Sequence, residues 1–169
     1  MNRVALLIGG NQGDRRRLIE QATVLIQERI GTVAALSSLY ETAPWGEFEM
    51  EGGERRTENF LNRALLVETT LSPHEVLHEA LTIEAALGRV RDANSHLSPL
   101  ISHLRKYRSR PMDIDLIFFN DEVIDTPDLT IPHPRMHQRR FVLEPLAEIM
   151  PDYRHPLLNK TVKEMLYEV

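Results

Sequence analysis

The segment RVALLIGGNQGDRRRLIEQATVLIQERIG, residues 3–31, predicts a strand, a turn and a helix in succession. Residues 3–8 form a short apolar run typical of a buried strand, and the glycines of the following GGNQGD stretch favour a tight turn. Asp14 is suited to cap a helix whose apolar residues recur at helical spacing: Leu18, Ala22, Leu25 and Ile26. Gly31 predicts the end of that helix.

The rest of the chain extends this pattern. Strands are predicted over about 32–41, 59–69 and 112–119, with a short fifth strand at 122–124. Ser72-Pro73-His74-Glu75 predicts the start of a second helix ending at Gly88, and Thr161 with Glu164 predicts a capping box near the C-terminus. The order β-α-β-β-α-β indicates an α/β (α+β), ferredoxin-like core. We expect an antiparallel sheet with two helices on one face, plus an extra C-terminal strand and further helices.

Length and composition exclude several classes of protein. A chain of 169 residues suits a single domain, 1–169, and the absence of cysteine excludes disulfides, thiol nucleophiles and thiolate metal sites. The net charge of −5 argues against a nucleic-acid binder. No apolar run approaches the roughly 20 residues of a membrane span, and residues 3–8 do not resemble a signal peptide. We therefore expect a cytoplasmic monomer that binds neither nucleic acid nor membrane.

Two long connections, 42–58 and 89–111, lack convincing regular structure and are expected to be functional loops. They differ in charge: 47–58 holds five acidic and two basic residues, or −3, whereas 89–110 holds six basic residues and one acidic residue, or +5. A positive loop in an acidic protein indicates an anionic partner. An exposed, solvated loop is the alternative.

Asp113-Ile114-Asp115 is the sharpest local signal. Because strand side chains alternate, the two carboxylates should share a face about 7 Å apart along the strand. Ile117 and Phe119 are expected on that face, and Ile114, Leu116 and Phe118 on the other. Paired carboxylates suit Mg²⁺, and the arginines up to Arg110 would suit the phosphates that accompany it. The alternative is that both acids lie at an exposed strand end.

Glu84 is a carboxylate on an apolar helix stripe predicted to contain Leu77, Ala80 and Leu81. A buried carboxylate must be paired or liganded, because its burial otherwise costs free energy. The alternative is that Glu84 lies at the edge of the stripe and reaches Arg89 or solvent.

Two further groups are candidates for ligand binding. His133 is held between Pro132 and Pro134 and precedes a cationic cluster that includes Arg139 and Arg140; the alternative is an ordinary charged loop. Phe60 and Asn62 share a strand face, which suits stacking and edge hydrogen bonds to a flat heteroaromatic ring. The alternative is that Phe60 belongs to the core and Asn62 lies at the edge of the sheet.

Six segments together resemble a known family: GGNQGD (9–14), YETAPWG (40–46), FLN (60–62), GRVR (88–91), RPMDIDL (110–116) and LTIPHPRMHQRRFVLEPL (129–146). The chain resembles the 6-hydroxymethyl-7,8-dihydropterin pyrophosphokinases of folate biosynthesis. The resemblance implies a ferredoxin-like core and an enzyme that uses ATP with two Mg²⁺ ions. It also implies transfer of the β,γ-diphosphoryl group of ATP to the hydroxymethyl oxygen of the pterin, which leaves AMP.

The resemblance also implies roles for individual residues of this sequence. Asp113 and Asp115 would hold the magnesium ions, and the catalytic arginines would be Arg89, Arg91 and Arg110. The ATP-binding residues would be Glu84, His133 and Arg139. The pterin-binding residues would be Thr42, Ala43, Trp45, Phe60, Asn62 and Phe141. The sequence departs from the family pattern at Gly10, where serine is usual, at Tyr107 with its neighbours, and in the insertion 92–104.

Two other classes of function use the same residues. A two-metal phosphodiesterase or nuclease would use the acids and arginines to hydrolyse a diester without ATP. A ferredoxin-like binding module would bind a ligand and lose no catalysis when Asp113 and Asp115 are changed. The set of Phe60, Asn62 and Phe141 favours the pterin enzyme over both.

Overall fold

The computed structural model describes residues 1–43, 59–88 and 111–169. The strands are β1 (Asn2–Gly10), β2 (Thr32–Leu36), β3 (Tyr40–Thr42), β4 (Phe60–Thr69), β5 (Asp113–Phe119), β6 (Ile124–Asp125) and β7 (Thr130–Ile131). The helices are α1 (Arg15–Arg29), α2 (Pro73–Gly88), α3 (Arg140–Ile149) and α4 (Val162–Glu168). Most of the two long connections predicted from the sequence falls in 44–58 and 89–110, outside the described residues.

The main sheet has the strand order β2-β4-β1-β5, with β3 also paired to β4, and every pairing is antiparallel. The order β1, α1, β2, β4, α2, β5 follows the predicted β-α-β-β-α-β succession. The short strands β6 and β7 pair as a separate hairpin. The mixed α/β fold with an antiparallel sheet is therefore confirmed. Within the described ranges, no helix is long and apolar enough to cross a membrane.

Helices cover both faces of the sheet. Val4, Leu6 and Ile8 of β1 pack with apolar residues of α1 and α2. Ala5 and Leu7 point the other way and pack with α3 residues such as Val142. The prediction of two helices on one face holds for α1 and α2, and α3 with α4 adds a layer on the opposite face. That second layer positions the candidate site.

The strand predicted over 32–41 is wrong as one element, because the chain divides at Ser37 into β2 and β3. Ser37 is buried and makes two hydrogen bonds to the Ala64 backbone. Its N–H donates to the Ala64 carbonyl, and its side-chain Oγ accepts from the Ala64 N–H, each at 2.9 Å. This local irregularity leaves β3 free to pair with the start of β4.

The predicted facing of the end of β5 is also wrong. Ala5 pairs with Phe118 and Leu6 with Leu116, so Ile117 is an extra residue opposite that step. Such a bulge reverses the alternation beyond it. Phe118 therefore joins Ile117 in the α3 layer, and Phe119 joins the α1 and α2 layer.

Candidate active site

Asp113 and Asp115 lie at the start of β5 and pair with Gly9 and Leu7 of β1. Since directly paired residues point to the same side of an antiparallel sheet, both carboxylates lie on the face that α3 covers. Both residues are half-buried. The predicted shared face is therefore present, and the alternative of a fully exposed strand end is wrong.

Glu84 reaches the same acids from the opposite side of the sheet. Its Oε2 accepts a 2.7 Å hydrogen bond from the Ile114 N–H of β5, and its side chain hydrogen-bonds to Asp113. Burial raises the pKa of Glu84 well above its usual range, and the negative charge of Asp113 raises that pKa further. The buried stripe of α2 is Val76, Ala80, Ile83 and Leu87. Leu81, predicted in the stripe, is 54% exposed, and Glu84 lies at the edge of the stripe.

The chemistry of these acids fits a hard cation. Three carboxylates within electrostatic reach of one another repel, as the raised pKa of Glu84 indicates. In the described parts of the chain, no three His, Asp or Glu residues have the geometry to hold a metal ion on their own. Mg²⁺ is commonly bound by one or two carboxylates, with phosphate oxygens and water completing its shell. Asp113 and Asp115 would serve as that pair.

The segment after β7 lies beside β5. His133 donates its backbone N–H to the Ile117 carbonyl at 3.0 Å, and its Nδ1 accepts from the Arg135 N–H at 3.4 Å. Arg139 directly precedes α3, with its guanidinium carbon 5.7 Å from the centre of the Phe141 ring. This distance is within the range of a cation–π contact. Through its bond to Ile117, His133 is held beside β5, the strand that carries both aspartates.

Phe60 and Asn62 lie at the start of β4, on the same face as the aspartates. Phe60 pairs with Thr42 and Asn62 with Tyr40 of β3. Asn62 is only 5% exposed, and its Nδ2 donates to Thr42 Oγ1 at 3.3 Å. Because β4 lies between β3 and β1, Asn62 is not at a sheet edge, and Phe60 is half-buried rather than part of the core.

A cavity of about 380 Å³ lies between the end of β3 and α3. Its lining includes three of the predicted pterin residues, Thr42, Ala43 and Phe141. The remaining lining residues are Gln138, Arg140, Glu144 and Val169, of which the sequence analysis named only Arg140, as a member of the cationic cluster. Helical spacing from Phe141 within α3 was the signal for Glu144, since positions three or four apart share a helix face. Gln138 precedes α3, and an extended Arg139 separates the two, so this spacing does not apply to it.

Arg140 and Glu144 form an ion pair across one turn of α3 at this cavity. Four predicted site residues cannot be located, because they lie outside the described residues: Trp45, Arg89, Arg91 and Arg110. The structure thus brings together Asp113, Asp115 and Glu84 at β5, and Thr42, Ala43 and Phe141 at the cavity.

Residues 5–151 match the family model described as 7,8-dihydro-6-hydroxymethylpterin-pyrophosphokinase (HPPK). Similar curated proteins are each named 2-amino-4-hydroxy-6-hydroxymethyldihydropteridine pyrophosphokinase. That of Porphyromonas gingivalis is 36% identical over 90% of this chain and 93% of its own length. The Bacillus subtilis protein is 39% identical, and the alignment covers 88% of this chain and 79% of that protein. The Aquifex aeolicus protein is 35% identical, and the alignment covers 97% of this chain and 90% of that protein.

Solved structures support the fold. The crystal structure of Plasmodium falciparum HPPK-DHPS wild type with pteroate superposes with a TM-score of 0.70 at 18% identity. The alignment covers 99% of this chain, which spans 44% of that longer chain. The HPPK-DHPS structure in complex with substrates gives a TM-score of 0.68 at 16% identity. The chain belongs to the 7,8-dihydro-6-hydroxymethylpterin-pyrophosphokinase family.

Proposed function

We propose that this chain transfers the β,γ-diphosphoryl group of ATP to the hydroxymethyl oxygen of 6-hydroxymethyl-7,8-dihydropterin. The products are AMP and the pterin diphosphate, an intermediate of tetrahydrofolate biosynthesis. One observation carries the proposal beyond family membership: the buried amide of Asn62 and the carboxylates of Asp113 and Asp115 lie on one face of one sheet. A group suited to a heteroaromatic edge and a group suited to a metal–phosphate complex are therefore neighbours.

The pterin substrate would be recognised at β3, β4 and α3. Asn62 would hydrogen-bond to the edge of the ring, and Phe60 with Phe141 would stack on its two faces. Thr42, Ala43 and Trp45 would contribute backbone contacts. The cavity beside Phe141 and the orientation of Asn62 by Thr42 support these roles.

ATP would be held at β5. Asp113 and Asp115 would bind Mg²⁺ together with the phosphates, and two ions per ATP are part of the proposal. When bound, Mg²⁺ neutralises phosphate charge and aligns the transferred group. Glu84, His133 and Arg139 would contribute to ATP binding, Glu84 also by fixing Asp113 and the start of β5.

In the reaction, a bond forms between the hydroxymethyl oxygen and the β-phosphorus. The bond between that phosphorus and the oxygen bridging to the α-phosphate breaks, and AMP leaves with that oxygen. The nucleophile belongs to the substrate, so alignment and electrostatic stabilisation supply the catalysis. Arg89, Arg91 and Arg110 would stabilise the negative charge of the transition state, and the hydroxyl proton passes to solvent.

The test is to incubate the protein with ATP, Mg²⁺ and 6-hydroxymethyl-7,8-dihydropterin and to separate the nucleotides. The proposal expects AMP and pterin diphosphate in equal amounts, and no AMP when the pterin is omitted. Hydrolysis of a phosphodiester without ATP would instead support the phosphodiesterase alternative. Pterin binding without AMP would support the binding-module alternative. Action as a cytoplasmic monomer, with ATP and the pterin as its partners, belongs to the same proposal.

A further inference from the structure

Glu148 joins α3 to the segment between β2 and β3. Its Oε2 accepts hydrogen bonds from the Ser38 N–H at 2.7 Å and the Ser38 hydroxyl at 3.2 Å. Its Oε1 accepts a third bond from the Tyr40 hydroxyl at 2.7 Å. One carboxylate in the last turn of α3 thus holds the start of β3 through three donors.

The ionisation of these groups strengthens the contact. The hydrogen bonds from Tyr40 and Ser38, with the nearby charge of Arg63, lower the pKa of Glu148. The bond to Glu148, with burial, raises the pKa of Tyr40 to about 12. Near neutral pH the carboxylate is therefore charged and the phenol protonated, and charge-assisted hydrogen bonds are roughly twice as strong as neutral ones. Arg63 adds a 2.9 Å bond from its Nε to the Ser37 carbonyl.

The bonded residues lie next to the pterin-binding groups on both sides. Tyr40 is the pairing partner of Asn62, and β3 continues from Tyr40 to Thr42 at the cavity. On α3, Phe141 and Glu148 are seven residues apart, which places them on one face about 10.5 Å apart along the axis. The bonds of Glu148 therefore fix the two walls of the cavity relative to each other.

We propose that Glu148 is a positioning residue of the pterin site, which sets the spacing between β3 and α3. The inference rests on the proposed function, because it assumes that this cavity and Asn62 bind the pterin. Glu148 does not touch the substrate; it acts through Thr42, Asn62 and Phe141. The aspartates are on β5, which β1 and β4 separate from β3, so we expect this contact to affect ATP binding little.

The test compares Glu148→Ala and Glu148→Gln with the wild-type enzyme in steady-state kinetics and in direct pterin binding. Glu148→Ala should raise the KM and the Kd for the pterin about tenfold, with the KM for ATP within about twofold of wild type. Glu148→Gln retains one oxygen acceptor, so its pterin KM should lie between those of the wild type and Glu148→Ala. Tyr40→Phe removes one of the three bonds and should give a smaller increase in pterin KM.

Glu75→Ala is the matched control. The Glu75 carboxylate also accepts a hydrogen bond from a backbone N–H, that of Ser72 at 2.9 Å, but it lies on α2 on the opposite face of the sheet. Its loss should lower thermal stability and leave the pterin KM unchanged.

Three outcomes would overturn the inference. One is a wild-type pterin KM in folded Glu148→Ala, and another is an equal rise of KM for ATP and pterin. The third applies if Glu148→Ala fails to fold: the inference is then overturned when Glu148→Gln and Tyr40→Phe both have the wild-type pterin KM. A wild-type enzyme that forms no AMP would overturn the proposed function itself, so the two failures are distinguishable.

Discussion

Asn62 and Asp113 are both pairing partners of Gly9, so an amide and a carboxylate lie on the same sheet face with one glycine between them. Neighbouring strands are about 4.8 Å apart, which puts the two Cα atoms about 10 Å apart. A Cβ on Gly9 would lie 2.3 Å from Asn62 Oδ1. The absence of a side chain at Gly9 therefore allows Asn62 to fold across β1 toward the aspartates, where the two proposed substrates would meet.

Replacing either aspartate by alanine should abolish most of the turnover. Loss of one positioned electrostatic group at a phosphoryl-transfer centre costs about 10²–10³ in kcat. Both variants should stay folded, because each removes a charge from a cluster of like charges. The measurement is AMP formation at several Mg²⁺ concentrations, with Asp125→Ala in the β6–β7 hairpin as the control. Near-wild-type turnover of Asp115→Ala at ordinary Mg²⁺ would rule out the metal-binding role.

Asn62→Ala should weaken pterin binding and leave ATP binding nearly unchanged. A buried ring-edge group that loses its hydrogen-bond partner costs about 1–3 kcal/mol. Calorimetric titration with pterin and with an ATP analogue measures both affinities. Thr69→Ala is the control, because Thr69 is also buried on β4 but lies at the far end, where its hydroxyl donates to the Ile30 carbonyl at 2.6 Å. Unchanged pterin affinity in a folded Asn62→Ala protein would contradict the assignment.

Gly9→Ala should raise the KM for the pterin more than that for ATP. The added methyl group would displace the Asn62 amide and the Leu61 carbonyl, each 2.3 Å from the Cβ position. Gly31→Ala is a matched control. Its Cβ would lie 2.1 Å from the Glu68 carbonyl, which is on β4 like Leu61 and Asn62 but far from the site. Both variants should unfold at lower temperature. If both changed the pterin KM equally, the specific role of Gly9 would be refuted.

The elements that the sequence predicts well are those that local interactions determine. Asp14 Oδ1 accepts the Arg17 N–H at 3.2 Å, as expected of a helix cap. The capping box of Thr161 and Glu164 is also present. In each case the donor and acceptor are three residues apart, so the sequence contains both partners of the interaction. Gly31 follows the last residues of α1, as predicted.

The features that the sequence does not predict depend on residues far away in the chain. The break at Ser37 requires Ala64, and the reversal at Phe118 depends on which residue of β1 lies opposite Ile117. The cavity likewise forms only where α3 approaches β3, so the sequence around Gln138 does not indicate that this residue lines it. Roles for single residues came from the resemblance to a family, because spacing alone left the alternatives open.

Arg110→Ala should lower kcat more than it lowers ATP affinity. In the sequence Arg110 is the basic residue nearest to the aspartates, and a group that acts on transition-state charge changes kcat rather than ground-state binding. Single-turnover AMP formation and the Kd for ATP separate the two effects. His96→Ala, within the insertion 92–104, is the control and should change neither. A parallel loss of ATP affinity and turnover would mean that Arg110 only binds ATP.

His155 should make the stability of the fold depend on pH as the pH falls below the ordinary histidine pKa of about 6.5. The residue is 4% exposed, and its Nδ1 accepts the N–H groups of Leu157 and Leu158, each at 3.1 Å. Burial, with a smaller contribution from His137, lowers the pKa of His155. The unfolded chain, with an ordinary histidine pKa of about 6.5, therefore takes up a proton more readily than the folded one. The stabilisation is fully present above about pH 6.5 and is lost as the pH falls from there toward the pKa of the folded state.

Urea unfolding at a series of pH values should show the free energy of unfolding of the wild type falling with pH. The slope should be flatter in His155→Gln, which keeps an acceptor without titrating. Identical slopes in the wild type and His155→Gln would contradict the prediction.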